Sequence, residues 1–158
     1  MGKEAGKTAI LKKVQTLPIG LKAAWDFFSD PRNLPAITPP AMGFRVLSEP
    51  PPGIHAGLIL RYSVRPLPLY RTTWISEITE VREPEWFVDE QRSGPYRMWR
   101  HEHAFRATPV GTIVQDTIRY RLPFGIAGDL VAGAFVRRAL DNLFAYRADA
   151  LRRRFGTV

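Results

Sequence analysis

Apolar and polar positions alternate with a period of two along the middle of the chain. The clearest segment is 58–64, in which Leu60, Tyr62 and Val64 fall on one face of an extended strand. Successive strand side chains point to opposite faces, so this period predicts a sheet. The same pattern, with breaks at Gly and Pro, predicts strands at 8–17, 44–47, 58–64, 71–81, 86–92, 97–108 and 112–121. The short links at 93–95 and 109–111 predict antiparallel neighbours.

Two stretches have helical spacing instead. Apolar residues of 19–28 form one stripe, and Asp30 is placed to cap a second short helix over 31–34, because proline suits a first helical turn. From residue 126 to about 155 the pattern is again helical, with Gly156 as a stop. The predicted apolar face of this long helix comprises Leu130, Ala134, Leu140, Leu143, Phe144, Ala148 and Leu151.

The order of elements predicts an α+β fold: one strand, two short helices, about six further strands and a long C-terminal helix. A curved antiparallel sheet of six to seven strands can wrap around such a helix and leave a cavity beneath it. We expect one domain over residues 1–158, with residues 1–7 flexible. The glycines of 125–133 predict either a loose first turn of the long helix or a hinge that opens the cavity.

Composition narrows the class of protein. The 158 residues include no cysteine, which excludes disulfides, thiolate catalysis and cysteine-based zinc sites. No apolar run approaches the roughly 20 residues of a membrane span, and no signal-peptide pattern opens the sequence, so we expect a cytoplasmic protein without stable membrane insertion.

The net charge of +8 raises the expectation of an anionic partner. However, the lysines and arginines are scattered, and their one dense run, 152–154, matches the dipole at the end of the long helix. Aromatic stacking platforms beside basic clusters are not evident, so we expect no nucleic-acid partner.

Three stretches resemble a known superfamily. Residues 87–105 read FVDEQRSGPYRMWRHEHAF, residues 116–125 read DTIRYRLPFG, and residues 143–147 read LFAYR. Together with the order of elements, they resemble the SRPBCC superfamily, whose helix-grip fold is shared by START domains, plant pollen allergens and bacterial polyketide cyclases. Within it, the chain is similar to a group of small bacterial proteins. The resemblance implies binding of lipids, sterols or polyketide-like molecules, and only sometimes catalysis.

Strand parity places polar side chains beside large apolar ones on three successive strands. Residues two apart share a face, which gives three groups: Phe87, Asp89 and Gln91; Trp99, His101, His103 and Phe105; Val114, Asp116, Ile118 and Tyr120. The apolar members indicate that these faces point inward. Buried polar groups must be hydrogen-bonded, so these side chains either satisfy one another in a structural network or orient a ligand, and both interpretations stay open.

Two kinds of chemistry are open to the histidines. His101 or His103 paired with Asp116 could exchange a proton with an enolisable ligand, as a cyclase or dehydratase requires. His101 and His103, with Asp116 or Asp89 as third ligand, could also hold a metal ion. Histidines two apart are common in strands and no cysteine reinforces the site, so we expect no metal, and we expect no cofactor.

The sequence therefore predicts a binding protein for a hydrophobic or amphipathic small molecule, with a His–Asp enzyme of the cyclase or dehydratase type as the alternative. Apolar walls are expected from Leu60, Tyr62, Trp74, Trp99, Phe105, Ile118 and Phe135. The predicted ligand-binding residues are Tyr62, Trp74, Asp89, Gln91, Trp99, His101, His103, Phe105, Asp116, Ile118, Tyr120 and Phe135. Arg147, among apolar residues of the long helix, could extend along apolar surface, reach an acid on the sheet, or reach an anionic head group.

Overall fold

The computed structural model describes residues 6–67 and 69–158. The first part of the chain forms strand β1 (Ala9–Leu17), helix α1 (Leu21–Phe28), two 3₁₀ helices (Pro31–Ile37 and Pro40–Met42) and strand β2 (Arg45–Val46). The second part forms strands β3 (Ile59–Leu67), β4 (Tyr70–Arg82), β5 (Trp86–Ser93), β6 (Met98–Thr108) and β7 (Gly111–Arg121), and helix α2 (Gly125–Phe155). Residues 1–5 lie outside the described residues, so the flexibility expected of residues 1–7 stays a prediction.

The described strands form one curved antiparallel sheet in the order β1-β7-β6-β5-β4-β3-β2. Strands β3 to β7 are joined successively as hairpins. Strand β1, from the start of the chain, pairs with β7, and its Leu17 lies opposite Thr112. The predicted α+β class, the number of strands and the long helix that the sheet grips are confirmed.

Asp30 caps the first 3₁₀ helix, as the sequence predicts. The Asp30 carboxylate accepts a hydrogen bond from the Arg32 backbone N–H at 3.0 Å, which satisfies one of the unpaired donors of the first turn. The segment is a 3₁₀ helix and continues to Ile37, beyond the predicted range 31–34.

Two apolar clusters fill the space inside the sheet. One joins α1 and the first 3₁₀ helix to the middle strands, and Trp25 packs edge-on against Phe87 and Phe105 with ring centroids 5.7 Å apart. The other lies between α2 and the β1–β7 side of the sheet, where Leu140 and Phe144 pack in one cluster with residues such as Ile118. The cavity described below lies between these clusters, under α2.

The first half of α2 differs from the prediction. Leu130 is 82% exposed and Ala134 is also exposed, so neither belongs to the buried face. At about 100° per residue, Ala134 lies roughly 120° around the helix from Leu140, away from the face that the sheet covers. The apolar face that packs on the sheet includes Leu140, Phe144 and Leu151. No helix within the described residues is long and apolar enough to span a membrane.

Candidate functional site

A cavity of about 550 Å³ lies between α2 and the concave face of the sheet. Leu60, Tyr62 and Trp74 line it from β3 and β4, and Leu140 and Leu143 line it from α2. The side near the two 3₁₀ helices is lined by Leu34, Ile37, Pro39 and Met42. This wall suits an apolar or amphipathic molecule, because burial of its apolar surface is the main source of binding free energy.

Four ionisable side chains meet on β5, β6 and β7. The strand register places Asp89 directly opposite His101, and His103 directly opposite Asp116. Side chains on directly opposite residues of antiparallel strands are close neighbours. The pairing of three hairpin strands therefore brings together Asp89, His101, His103 and Asp116, which we name the His–Asp cluster.

Charge-assisted hydrogen bonds hold the four side chains of the cluster together. His101 Nε2 donates to Asp116 Oδ1 at 2.7 Å, and His103 Nε2 donates to Asp89 Oδ2 at 2.8 Å. The Ser76 hydroxyl donates to Asp89 Oδ1 at 3.3 Å, so both oxygens of this carboxylate have partners. The two imidazole rings lie 3.7 Å apart between centroids, and Phe87 stacks on His103 at 4.2 Å.

Each imidazole also faces the carboxylate of the other pair. His103 Nδ1 lies 3.2 Å from Asp116 Oδ1 without the alignment of a hydrogen bond, and His101 Nδ1 lies 3.7 Å from Asp89 Oδ2. An imidazole with a carboxylate near both ring nitrogens is stabilised in its protonated form. His103, with the closer pair of carboxylate contacts, is the better placed of the two to carry the positive charge.

The pKa shifts agree with this geometry. Burial alone would raise the pKa of Asp116, but the hydrogen bond from His101 and the charges of both histidines outweigh it and hold that pKa below its usual value. Burial would likewise lower the pKa of His103, yet its hydrogen bond to Asp89 and its closeness to the charges of both carboxylates raise it. The pKa of His101 is lowered by burial and by the adjacent His103. The cluster thus holds two carboxylates, one imidazole that favours its charge and one that favours neutrality.

Arg147 reaches the same place from α2. It is 8% exposed, its Nη1 lies 3.9 Å from Asp116 Oδ1, and its guanidinium carbon lies 4.8 Å from the Phe144 ring centroid. Burial lowers the pKa of Arg147, and the charges of Asp116 and Asp89 act in the opposite direction. Arg147 and Phe144 also border a smaller cavity of about 190 Å³, which Asp116 lines.

Six of the twelve predicted ligand-binding residues line the larger cavity. They are Tyr62, Trp74, Asp89, Trp99, His101 and His103. Their contact with a ligand stays a prediction, as does the choice between a structural and a ligand-orienting network. Parity correctly placed the polar members of the cluster inside the protein.

The other six lie elsewhere. Asp116 sits behind the histidines, and the Gln91 side chain donates to the Tyr96 backbone oxygen at 2.7 Å within the β5–β6 turn. The expected cavity wall was wrong for Phe105 and Ile118, which are buried in the two solid clusters, and Tyr120 is buried beside Ile118. It was also wrong for Phe135, which is 57% exposed on the uncovered part of α2.

Most of the cavity wall was missing from the predicted set, including two polar residues beside the His–Asp cluster, Arg147 and Ser76. Arg147 occupies the apolar face of α2 four residues after Leu143 and four before Leu151, and a cation at such a position is a usable sequence signal. Ser76 shares the inward parity of Trp74 and Ile78 on β4, but a serine at a strand position carries little information on its own.

The cluster also contains a possible metal-ligand set. Donor atoms of Asp89, His101 and His103 all lie within 4.8 Å of one another, and two imidazoles with one carboxylate suit zinc or iron. In this arrangement each Nε2 donates to a carboxylate, and His103 Nδ1 has no hydrogen-bond partner within the described part of the chain. The expectation of a site without metal stays a prediction.

A seven-stranded antiparallel sheet that wraps around one long helix over a largely apolar cavity defines the helix-grip class of ligand-binding folds. Residues 17–145 match the family described as polyketide cyclase / dehydrase and lipid transport. The chain belongs to this family, and the predicted resemblance is confirmed. No curated protein is significantly similar to it in sequence.

Solved structures share the fold at low sequence identity. Truncated norcoclaurine synthase from Thalictrum flavum is similar with a TM-score of 0.69 and 13% identity, covering 96% of this chain and 95% of that one. Ginseng major latex-like protein 151 from Panax ginseng gives a TM-score of 0.66 and 13% identity, with coverage of 95% and 99%. Protein Ms6760 from Mycobacterium smegmatis gives 0.64 and 18%, with 91% of both chains covered. These likenesses support the fold.

Proposed function

We propose that the protein binds a hydrophobic or amphipathic small molecule, lipid-, sterol- or polyketide-like, in the larger cavity. The observation that carries this proposal is a cavity of about 550 Å³ with a largely apolar wall, which Asp89, His101 and His103 also line. The apolar wall supplies affinity, and the polar end of the ligand meets the His–Asp cluster. We also propose that the protein is cytoplasmic, and that its partner is this small molecule and not a nucleic acid.

The test compares native and denatured masses of protein purified from its own organism. We expect extra mass that is lost on denaturation and recovered by organic extraction. Leu143→Trp should remove it by filling the cavity from α2, whereas Ala134→Trp, on an exposed position of the same helix, should retain it. Equal masses, together with no binding of dodecanol, cholesterol or tetracycline to the purified protein, would contradict the proposal.

One observation favours an enzyme as a second candidate. His103, which favours its protonated form, and His101, which favours neutrality, lie side by side in the cavity wall with ring centroids 3.7 Å apart. An acid and a base in one wall could move a proton on an enolisable ligand. If His101→Ala or His103→Ala abolishes turnover but keeps ligand affinity, the enzyme is supported. If both substitutions only weaken binding, the enzyme hypothesis fails.

A further inference from the structure

Arg147 is a buried cation without a hydrogen bond to any described residue. Its side chain is 10% exposed, and its Nε atom is fully enclosed and has no hydrogen-bond partner. Its closest acid, Asp116, lies 3.9 Å away, which exceeds hydrogen-bond distance. A guanidinium carries five N–H donors, and leaving such donors unpaired away from water is costly. The structure therefore maintains a set of donors that a further group can satisfy.

Arg147 also has a distinct position in the cavity. Among the described residues, it is the one lysine or arginine that lines the larger cavity. The Phe144 ring supports the guanidinium from one side, with its centroid 4.8 Å from the guanidinium carbon. Packing on an aromatic ring leaves the edges of a guanidinium, where its donors lie, free to pair in the plane.

The neighbouring carboxylates do not use these donors and do not close the site to an anion. Asp89 is the carboxylate of the cluster that lines the larger cavity, and its two oxygens already accept from His103 and Ser76. Asp116 accepts from His101 and lines the smaller cavity instead. Arg147 and His103, whose pKa is raised, lie beside the two carboxylates and offset their negative charge where an anion would arrive.

We propose that Arg147 pairs with a carboxylate on the ligand, so that the cavity selects amphipathic carboxylic acids with an apolar body. This inference rests on the proposed function, because it names the chemistry of the polar end of the bound molecule. A guanidinium and a carboxylate form two parallel charge-assisted hydrogen bonds, the geometry for which arginine is best suited. The apolar body then lies toward Trp74, Tyr62 and the 3₁₀ helices.

The test uses matched acids and alcohols as probes. Calorimetry at about pH 7.5, where a carboxylic acid is ionised, compares 2-naphthylacetate with 2-(2-naphthyl)ethanol, and decanoate with decanol. We expect the wild-type protein to bind each acid roughly 10-fold to 100-fold more tightly than its alcohol, as charge-assisted hydrogen bonds allow. Arg147→Gln should abolish the preference and change the affinity for the alcohols less than about 3-fold.

Two controls sharpen the test. Arg138→Gln makes the same change of charge at an exposed position of α2 and should keep the wild-type preference. Arg147→Lys keeps the charge but loses the planar fork, so it should keep part of the preference. The wild-type ratio is informative even if a variant fails to fold.

The outcomes separate the two proposals. If the wild-type protein binds alcohols as tightly as acids, or if Arg147→Gln keeps the preference, the carboxylate assignment is overturned. If the wild-type protein binds neither member of either pair, the proposed function itself is contradicted. An acid preference that Arg147→Gln removes supports both proposals.

Discussion

Replacing Asp116 by asparagine tests whether the His–Asp cluster stabilises the fold through its charge. The substitution keeps the shape of the side chain but removes the carboxylate that accepts from His101 at 2.7 Å and lies 3.2 Å from His103 Nδ1. Removing one partner of a buried ion pair costs about 3–5 kcal/mol, because the remaining charge stays buried. For a chain of this size that is a fall in melting temperature of roughly 10 °C. Urea denaturation monitored by circular dichroism at pH 7 measures the loss of unfolding free energy.

The pH dependence of this loss has a definite sign. The pKa of Asp116 is lower in the folded protein, so its contribution is present above the unfolded value of about 4 and is lost as pH falls through the folded pKa. The gap between wild type and Asp116→Asn should therefore narrow in acid. Asp141→Asn is the matched control, because Asp141 makes a 2.7 Å pair with Lys13 at the surface, where ion pairs add little. Equal stability of Asp116→Asn and wild type, or a gap that does not depend on pH, would refute the reasoning.

Two further predictions concern protonation and local stability. In an NMR titration, His103 should protonate at a pH above the ordinary imidazole value of about 6.5 and His101 at a pH below it; titration of both at the ordinary value would contradict the geometry of the cluster. In native-state hydrogen exchange, residues 126–134 of α2 should exchange faster than residues 140–151, because the second segment supplies the buried face of the helix. Equal protection of the two segments would remove the hinge suggested by the glycines.

The fold was largely predictable from the sequence because its strands obey a strict local rule. In β3, the alternation of Leu60, Tyr62 and Val64 matches the buried face, and the predicted and observed strands differ mainly at their ends. Parity also identified the inward side of the three site strands. Parity does not distinguish inward residues that face a cavity from those that pack against other side chains. For that reason Phe105 and Ile118 were wrongly predicted to line the cavity.

The errors on α2 have a different cause. A helical stripe needs a partner before it becomes a buried face, and the apolar residues of the first half of α2 are on more than one side of the helix. Only the tertiary position of α2 shows that Leu140 is covered and that Phe135 is not. The role of Arg147 likewise depends on the depth at which α2 lies over β7, which periodicity does not specify.

The strand order bears on the sequence of events during folding. All members of the His–Asp cluster lie on three consecutive hairpin strands, β5 to β7, whereas β1 pairs with β7 across nearly the whole chain. Hairpins close short loops at small entropic cost, so we expect the cluster to assemble while it is still hydrated. On this view the docking of α2 would remove water from the four ionisable groups of the cluster and bury Arg147 in the same step. We therefore expect the covering of the cavity by α2 to be a late event in folding and its opening an early one in unfolding.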